Sequence, residues 1–254
     1  MIRKVYCTVS TYWLGRTLGL EAAQQEFVRQ LHAPDTKSLA CVHTISRLRE
    51  LVDVEIRQDP GATVIGKARS RAFHAAVESD ADAWVSVDDD VEASLVTLDW
   101  LLGAIDEPLP HICVAPCLLR RPVDEERIGP GVGVANVELV RTGIERLLHS
   151  LSGYNAGGGA RPIVGGGFAL VAVNRPALRA IVEAHRAVDA PPLEYVDDDG
   201  VARLAIFHDE LVDGRWWGED RSFFRRVPRS VTIECLITGE TAHAGYPLDL
   251  EKLA

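Results

Sequence analysis

Residues 3–11, RKVYCTVST, alternate apolar and polar positions and are rich in β-branched side chains, which predicts a strand. The following GLEAAQQEFVRQLHA carries apolar residues at helical spacing and predicts a helix. The same alternation continues. LVDVEIRQD reads as a second strand, IGKARSRAFHAAVESD as a helix, AWVSVDDD as a third strand, LVTLDWLLGAI as a helix and HICVAPCLL as a fourth strand. Strand–helix alternation implies parallel strands joined by helical crossovers. The next forty or so residues are less regular and include GPGVGVANVELV and the glycine-rich SGYNAGGGARP. Order returns with PIVGGGFALVAVN, a strand beginning at glycines, and a helix with Pro176 in its first turn. VDAPPLEYVDDDG is turn-rich, WWGEDRSFFRRV opens a short helix, and SVTIECLIT reads as a late strand. There is no internal repeat, heptad or low-complexity tract.

Composition narrows the class. With 254 residues, 47% hydrophobic and 25% charged, the chain suits a folded α/β unit and excludes collagen-like or disordered readings; one domain is expected. No apolar run reaches the roughly 18 residues of a membrane span. MIRKVYCTVSTYW reads as a strand rather than a signal peptide, so a cytoplasmic location is expected. The five cysteines (Cys7, Cys41, Cys113, Cys117 and Cys235) form no C-x-x-C pair and read as buried thiols rather than a zinc site. A net charge of −10 weighs against a broad nucleic-acid face. It leaves room for a local basic groove from Arg69, Arg71, Arg120, Arg121 and RSFFRRVPR.

Candidate chemistry concentrates at strand ends, where open sheets collect ligands. Asp88, Asp89 and Asp90 follow the apolar run AWVSV directly. Adjacent carboxylates repel unless solvated or paired with a cation, and hard oxygen ligands on a turn suit Mg²⁺ or Mn²⁺, which in turn can hold a diphosphate. Glu219 and Asp220 open a helix, where acids also serve purely to complement the dipole. Trp216 and Trp217 before them are ring platforms or core residues. Gly165, Gly166 and Gly167 mark a bulge or a close backbone approach. A dinucleotide fingerprint after the first strand is absent.

Taken in order, the strand ending in VDDD, the upstream GKARSRAFHAAVESDADAW, VGGGFALVAVNRPAL, GEDRSFFRRV and TAHAGYPL resemble the nucleotide-sugar-dependent glycosyltransferases of the GT-A fold, particularly small bacterial and phage-type members. The resemblance spans the chain from the first strand to His243 and rests on the order and spacing of the motifs. It implies a single GT-A-like domain with a Rossmann-like mixed central sheet flanked by helices. Residues 1–117 would form the nucleotide-sugar half and 118–254 the acceptor and catalytic half.

The resemblance also assigns roles. Asp88-Asp89-Asp90 match the D-x-D motif, with Asp88 on the ribose or base side of the nucleotide and Asp90 on a Mn²⁺ or Mg²⁺ ion. Asp89 is counted in the donor site, its side chain free to point elsewhere. His243 would complete the metal shell, a reasonable task for a neutral imidazole. Asp220 would be the general base of an inverting transfer, and Glu219 would orient donor or acceptor. Thr8, Ser10 and Tyr12 would grip base and ribose, Arg69 would reach the nucleotide or its phosphates, and Gly165 to Gly167 would let sugar approach the backbone.

The function that follows is a hexosyltransferase using a nucleoside-diphosphate sugar, with a UDP-sugar expected. The phage-type resemblance points to a hydroxymethylated base in phage DNA as the expected acceptor, with a glycan or small molecule as the alternative; the net charge of −10 counts against DNA unless positive residues cluster beside the site. Other classes fit less well. A sugar-nucleotide pyrophosphorylase needs a glycine-rich basic loop where STYWLGRT stands, and a haloacid-dehalogenase-type phosphatase needs D-x-D-x-[TV], which D-D-D-V-E fails. A non-enzymatic cation-binding module is the remaining alternative. The loop at residues 152–162 is expected to close over the bound donor or to be an inert connector.

Overall fold

The computed structural model describes residues 1–11, 20–34, 38–60, 65–115, 117, 137–139, 160–187, 193–197, 199–236, 240–243 and 246–249. In chain order these form β1 (Lys4–Thr11), α1 (Leu20–His32), α2 (Ala40–Leu51), β2 (Asp53–Pro60), α3 (Ile65–Glu78), β3 (Ala83–Asp88), β4 (Val91–Ala93), α4 (Leu95–Ile105) and β5 (His111–Val114). Then follow β6 (Val137–Leu139), β7 (Ala160–Gly166), β8 (Leu170–Asn174), α5 (Arg175–Arg186), β9 (Glu194–Val196), β10 (Ala202–Leu204), β11 (Glu210–Val212), β12 (Arg215–Trp217), α6 (Glu219–Arg226), β13 (Thr232–Leu236), β14 (Glu240–His243) and β15 (Tyr246–Asp249).

One sheet runs through the described residues in the order β2-β1-β3-β8-β5-β13-β7-β6. β1 lies parallel to both β2 and β3, as the alternating strand–helix pattern requires. β8 enters antiparallel between β3 and β5, and β13 runs parallel to β5 and antiparallel to β7. The sheet is therefore mixed and flanked by helices, as expected. Strands from before and after residue 117 interleave in it.

Period-2 alternation sorts the sheet into two cores. Val5, Cys7, Val9, Val85 and Val87 point to one face, where α1, α2 and α4 contribute Phe27, Ile45, Leu48, Leu98 and Leu101. Tyr6 and Trp84 point to the other, with Phe73 of α3, Leu178 and Ile181 of α5, and Phe223 and Phe224 of α6. Trp84 is fully buried in an aromatic cluster, its ring 5.7 Å from Phe73 and 5.4 Å from Phe168. Its indole N–H donates to the Thr8 hydroxyl at 2.8 Å. All five cysteines are buried, as expected. No helix among the described residues is long and apolar enough to cross a membrane.

One local reading is corrected. PIVGGGFALVAVN is not one strand. Gly165 and Gly166 end β7, residues 167–169 turn, and β8 begins at Leu170 in a different place in the sheet. Glycines weaken strand continuity, and the turn's backbone bonds go elsewhere: the Ala169 carbonyl accepts from the Asp88 amide at 2.8 Å. The stretch HTISRLRE, which shows no catalytic pattern, lies within α2 and supplies buried Thr44, Ile45 and Leu48. The β11–β12 hairpin turns on Asp213 and Gly214, both at positive φ (50° and 74°), the two-residue Asp-Gly turn whose twist matches paired strands. The expected loop at residues 152–162 lies outside the described residues up to 159, and residues 160–162 begin β7.

Candidate active site

The alternation that buries Trp84 also directs Asp88, four residues on, to the α3 and α6 face of the sheet. There it meets Arg69 of α3, whose Nη2 lies 3.3 Å from Asp88 Oδ1. The Nη1 of the same guanidinium lies 2.9 Å from Glu219 Oε1 and also bonds Asp220 Oδ1. Arg69 is 6% exposed, and its guanidinium sits 5.5 Å from the Phe168 ring centroid. The second oxygen of Asp220 accepts the Phe168 backbone N–H at 3.1 Å. Asp88 and the acid pair, which lie 19 and 150–151 residues from Arg69 in the chain, thus share one buried cation.

Electrostatics follow from this packing. Burial works against the Arg69 charge, but the carboxylates of Asp220, Asp88 and Glu219 outweigh it and hold the guanidinium firmly protonated. Glu219 is pushed above the usual carboxylate range, first by burial and then by adjacent Asp220; Arg69 offsets part of this rise and Asp209 adds to it. The acids in the first turn of α6 complement its dipole, yet their carboxylates also bond Arg69 and the β7–β8 turn, beyond a capping role.

Close approach of α3 to the loop before β11 makes this possible. A Cβ added at Gly66 would lie 2.8 Å from the Phe207 carbonyl oxygen and 3.6 Å from the Glu219 Cβ. We expect Gly66→Ala to destabilise the fold by about 1–3 kcal/mol, measured by urea unfolding. Unchanged stability would mean that α3 shifts freely, contrary to its tight seat.

The remaining aspartates part company. Asp89 is 7% exposed, and its carbonyl accepts the Cys41 N–H of α2 at 3.4 Å. Its carboxylate adds to the effect of burial in raising the Cys41 thiol well above its usual range. Asp89 therefore lies against α2, and the structure does not bring it to the Arg69 cluster. Asp90 is half-buried at the turn, and the next residue, Val91, pairs with His243 across β4 and β14. That pairing carries the TAHA segment to the aspartate turn. The His243 side chain lies outside the described residues.

Other sequence candidates divide in the same way. Thr8 is buried, with its hydroxyl engaged by Trp84. Ser10 stands opposite Asp88 in the β1–β3 register, and Tyr12 is outside the described residues. Gly166 and Gly167 directly precede Phe168, whose amide bonds Asp220, so they adjoin the acid pair. Trp217 is half-buried with the Arg221 guanidinium 4.4 Å from its ring centroid, while Trp216 is 70% exposed on the hairpin. Among the described residues no group of three or more His, Cys, Asp or Glu converges as a metal site. Sequence reasoning passed over Gly66, Phe168 and Asp209; of these only the glycine, one turn before Arg69, carried a local signal.

The expected basic groove is also altered. Arg71 lies 3.5 Å from Asp197, Arg225 Nε lies 3.3 Å from Glu210, and Arg226 Nη1 lies 2.7 Å from Glu210. With Arg69 among three carboxylates and Arg221 over Trp217, these charges face protein partners. Arg120 and Arg121 lie outside the described residues.

No protein-family model matches the sequence. No curated protein matches it either. Among solved structures, the chain is similar to A197 from STIV at 14% identity, covering 95% of this chain and 85% of that one, with a TM-score of 0.48. It is also similar to S. aureus TarS 1–349 in complex with UDP-GlcNAc, at 13% identity over 94% of this chain, with a TM-score of 0.40. TarS 1–349 without that ligand gives 13% identity and a TM-score of 0.42. The chain spans 58% and 60% of the two TarS chains.

Proposed function

We propose that the chain is a metal-dependent glycosyltransferase of the GT-A type, moving a sugar from a nucleoside-diphosphate sugar to an acceptor hydroxyl. The observation that carries this reading is the Arg69 cluster, which joins the aspartate turn of β3 to the acid pair of α6. Such a site has a donor end and a base end held at fixed distance by two secondary-structure elements. A solvated acidic loop has no need of that arrangement.

In this reading Asp88 faces the nucleoside, and Asp90 with His243 holds Mn²⁺ or Mg²⁺. Two protein ligands suffice in principle, because these ions are commonly bound through one or two side chains plus substrate phosphates. A bound ion would supply charge neutralisation for the departing nucleoside diphosphate. The acid pair of α6 takes the acceptor's proton, with Asp220 as the base. The acceptor oxygen bonds to the anomeric carbon as the carbon–phosphate-oxygen bond breaks, and that electron pair leaves with the diphosphate. A single displacement inverts configuration. Gly166 and Gly167, beside Phe168, leave room for the sugar.

A UDP-sugar is the donor we favour, and a glycan or small-molecule acceptor is preferred over DNA. Net charge is −10, and of the arginines expected to line a groove Arg71, Arg221 and Arg226 are engaged by acids or a ring, so phosphate contacts there would have to compete with existing partners. UDP-GlcNAc, which TarS holds in one structure, is a sensible first probe.

The metal assignment is tested by binding. Nucleotide affinity should depend on Mn²⁺ or Mg²⁺, and Asp90→Ala should abolish that dependence, read by thermal shift or calorimetry with and without chelator. Equal affinity for each of a panel of nucleoside diphosphates and their sugars in metal and in chelator would sink the assignment.

A further inference from the structure

Arg69 holds more negative charge than one guanidinium neutralises. Asp88, Glu219 and Asp220, each partly exposed, all bond the buried Arg69, leaving two formal negative charges in excess. One consequence is visible at Glu219, which burial and Asp220 push toward its protonated form while Arg69 pulls it back. Arg69 also touches both ends of the site: Nη2 faces Asp88 at the strand end and Nη1 faces the acid pair. A guanidinium is planar, always charged and fork-shaped, which suits it to the oxygens of a diphosphate at least as well as to carboxylates.

We infer, resting on the glycosyltransferase reading above, that Arg69 exchanges partners: donor diphosphate draws it from Glu219 and Asp220, so the acid pair can accept a proton only in a donor-loaded site. In the free protein the pair is occupied by Arg69, and the acceptor hydroxyl meets no available base. Donor binding both fills the site and frees the base. Arg69 is thereby a positioning residue that imposes an order, donor before acceptor, and protects the acid pair from unproductive contacts.

The exchange has a proton signature. The groups facing Glu219 are Arg69 from α3, Asp220 from its own helix and Asp209 from the loop before β11, with Asp88 of β3 across the guanidinium. Withdrawing Arg69 removes the contact that favours ionised Glu219, so its proton affinity rises further and donor binding takes up protons. The uptake appears between the proton affinities of Glu219 in the free and donor-bound protein and fades as pH rises above the donor-bound value. UDP-GlcNAc is a suitable probe because a diphosphate esterified at both ends has no ionisation of its own near neutrality.

The measurement is calorimetric titration of the metal-saturated protein with UDP-GlcNAc over a series of pH values below and through neutrality, in buffers of different ionisation enthalpy. The expected result is net proton uptake in the wild type. Glu219→Gln should bind without the uptake. Arg69→Gln should bind about tenfold or more weakly, without uptake, since a charge-assisted contact to phosphate is lost. Circular dichroism establishes that each variant is folded, and Arg69→Lys is the second variant should Arg69→Gln fail to fold; it too should bind more weakly. Wild-type binding without proton uptake overturns the exchange, as does undiminished affinity in the folded Arg69 variants, and either leaves the glycosyltransferase reading standing. No binding of UDP-GlcNAc or of a panel of other nucleotide sugars overturns that reading itself, and the exchange with it.

Discussion

Asp220→Asn is expected to lower sugar transfer by about 10²-fold or more while donor affinity changes little. The asparagine keeps the shape of the side chain and an oxygen able to accept from the Phe168 N–H, so the β7–β8 turn stays anchored. Its amide NH2 then takes the place of Oδ1, so the bond that Asp220 accepts from Arg69 is lost, while Arg69 keeps Glu219 and Asp88. What it would lose, in the proposed transfer, is the capacity to hold the acceptor's proton as the new glycosidic bond forms. The loss should therefore appear in kcat and in kcat/KM for the acceptor, with the donor Kd close to wild type. Steady-state kinetics combined with calorimetric donor binding separates the two. Near-normal turnover would transfer the base role to Glu219, whose raised proton affinity suits it to accept a proton, or would indicate a retaining route.

Trp84→Ala should produce the largest loss of stability, about 3–5 kcal/mol, because it removes a large, fully buried ring that neighbours cannot refill. Trp84 packs against Phe73, Phe168 and Phe207, and Phe207 stacks on Phe223 at 4.4 Å. The change also leaves the buried Thr8 hydroxyl without its indole donor. Since domains are stable by only about 5–15 kcal/mol, a large fraction of the folded population is at risk near physiological temperature. Urea unfolding gives the number directly. A loss under about 1 kcal/mol would mean that the cluster collapses into the space. Function should fall with stability, since Trp84 lies on the strand that ends at Asp88, and Phe168 carries the amide bonded to Asp220.

Local pattern determined much of this protein. The alternation in RKVYCTVST and AWVSVD and the helical spacing in IGKARSRAFHAAVE and LVTLDWLLGAI correspond to β1, β3, α3 and α4, because side-chain period and burial are local consequences of the backbone. The position of the aspartates at a strand end was equally legible, and so was the start of α6 at the acid pair. The Asp213–Gly214 turn was legible too, although it was passed over, since few other residue pairs accept two positive φ values so readily.

Only the tertiary structure decided how these pieces meet. Nothing near GKARSR announces that Arg69 would be buried among carboxylates contributed 19, 150 and 151 residues away, because a surface arginine and a buried one share the same local pattern. The separation of Asp88 from Asp89 required knowing which helix covers each face of the sheet, α3 with α6 on one side and α2 on the other. Splitting the glycine stretch into β7 and β8 required the pairing order, since strand neighbours are set by long-range hydrogen bonds that a single run of residues does not encode. Sequence thus determined which residues could do chemistry, and packing determined which of them share a charge.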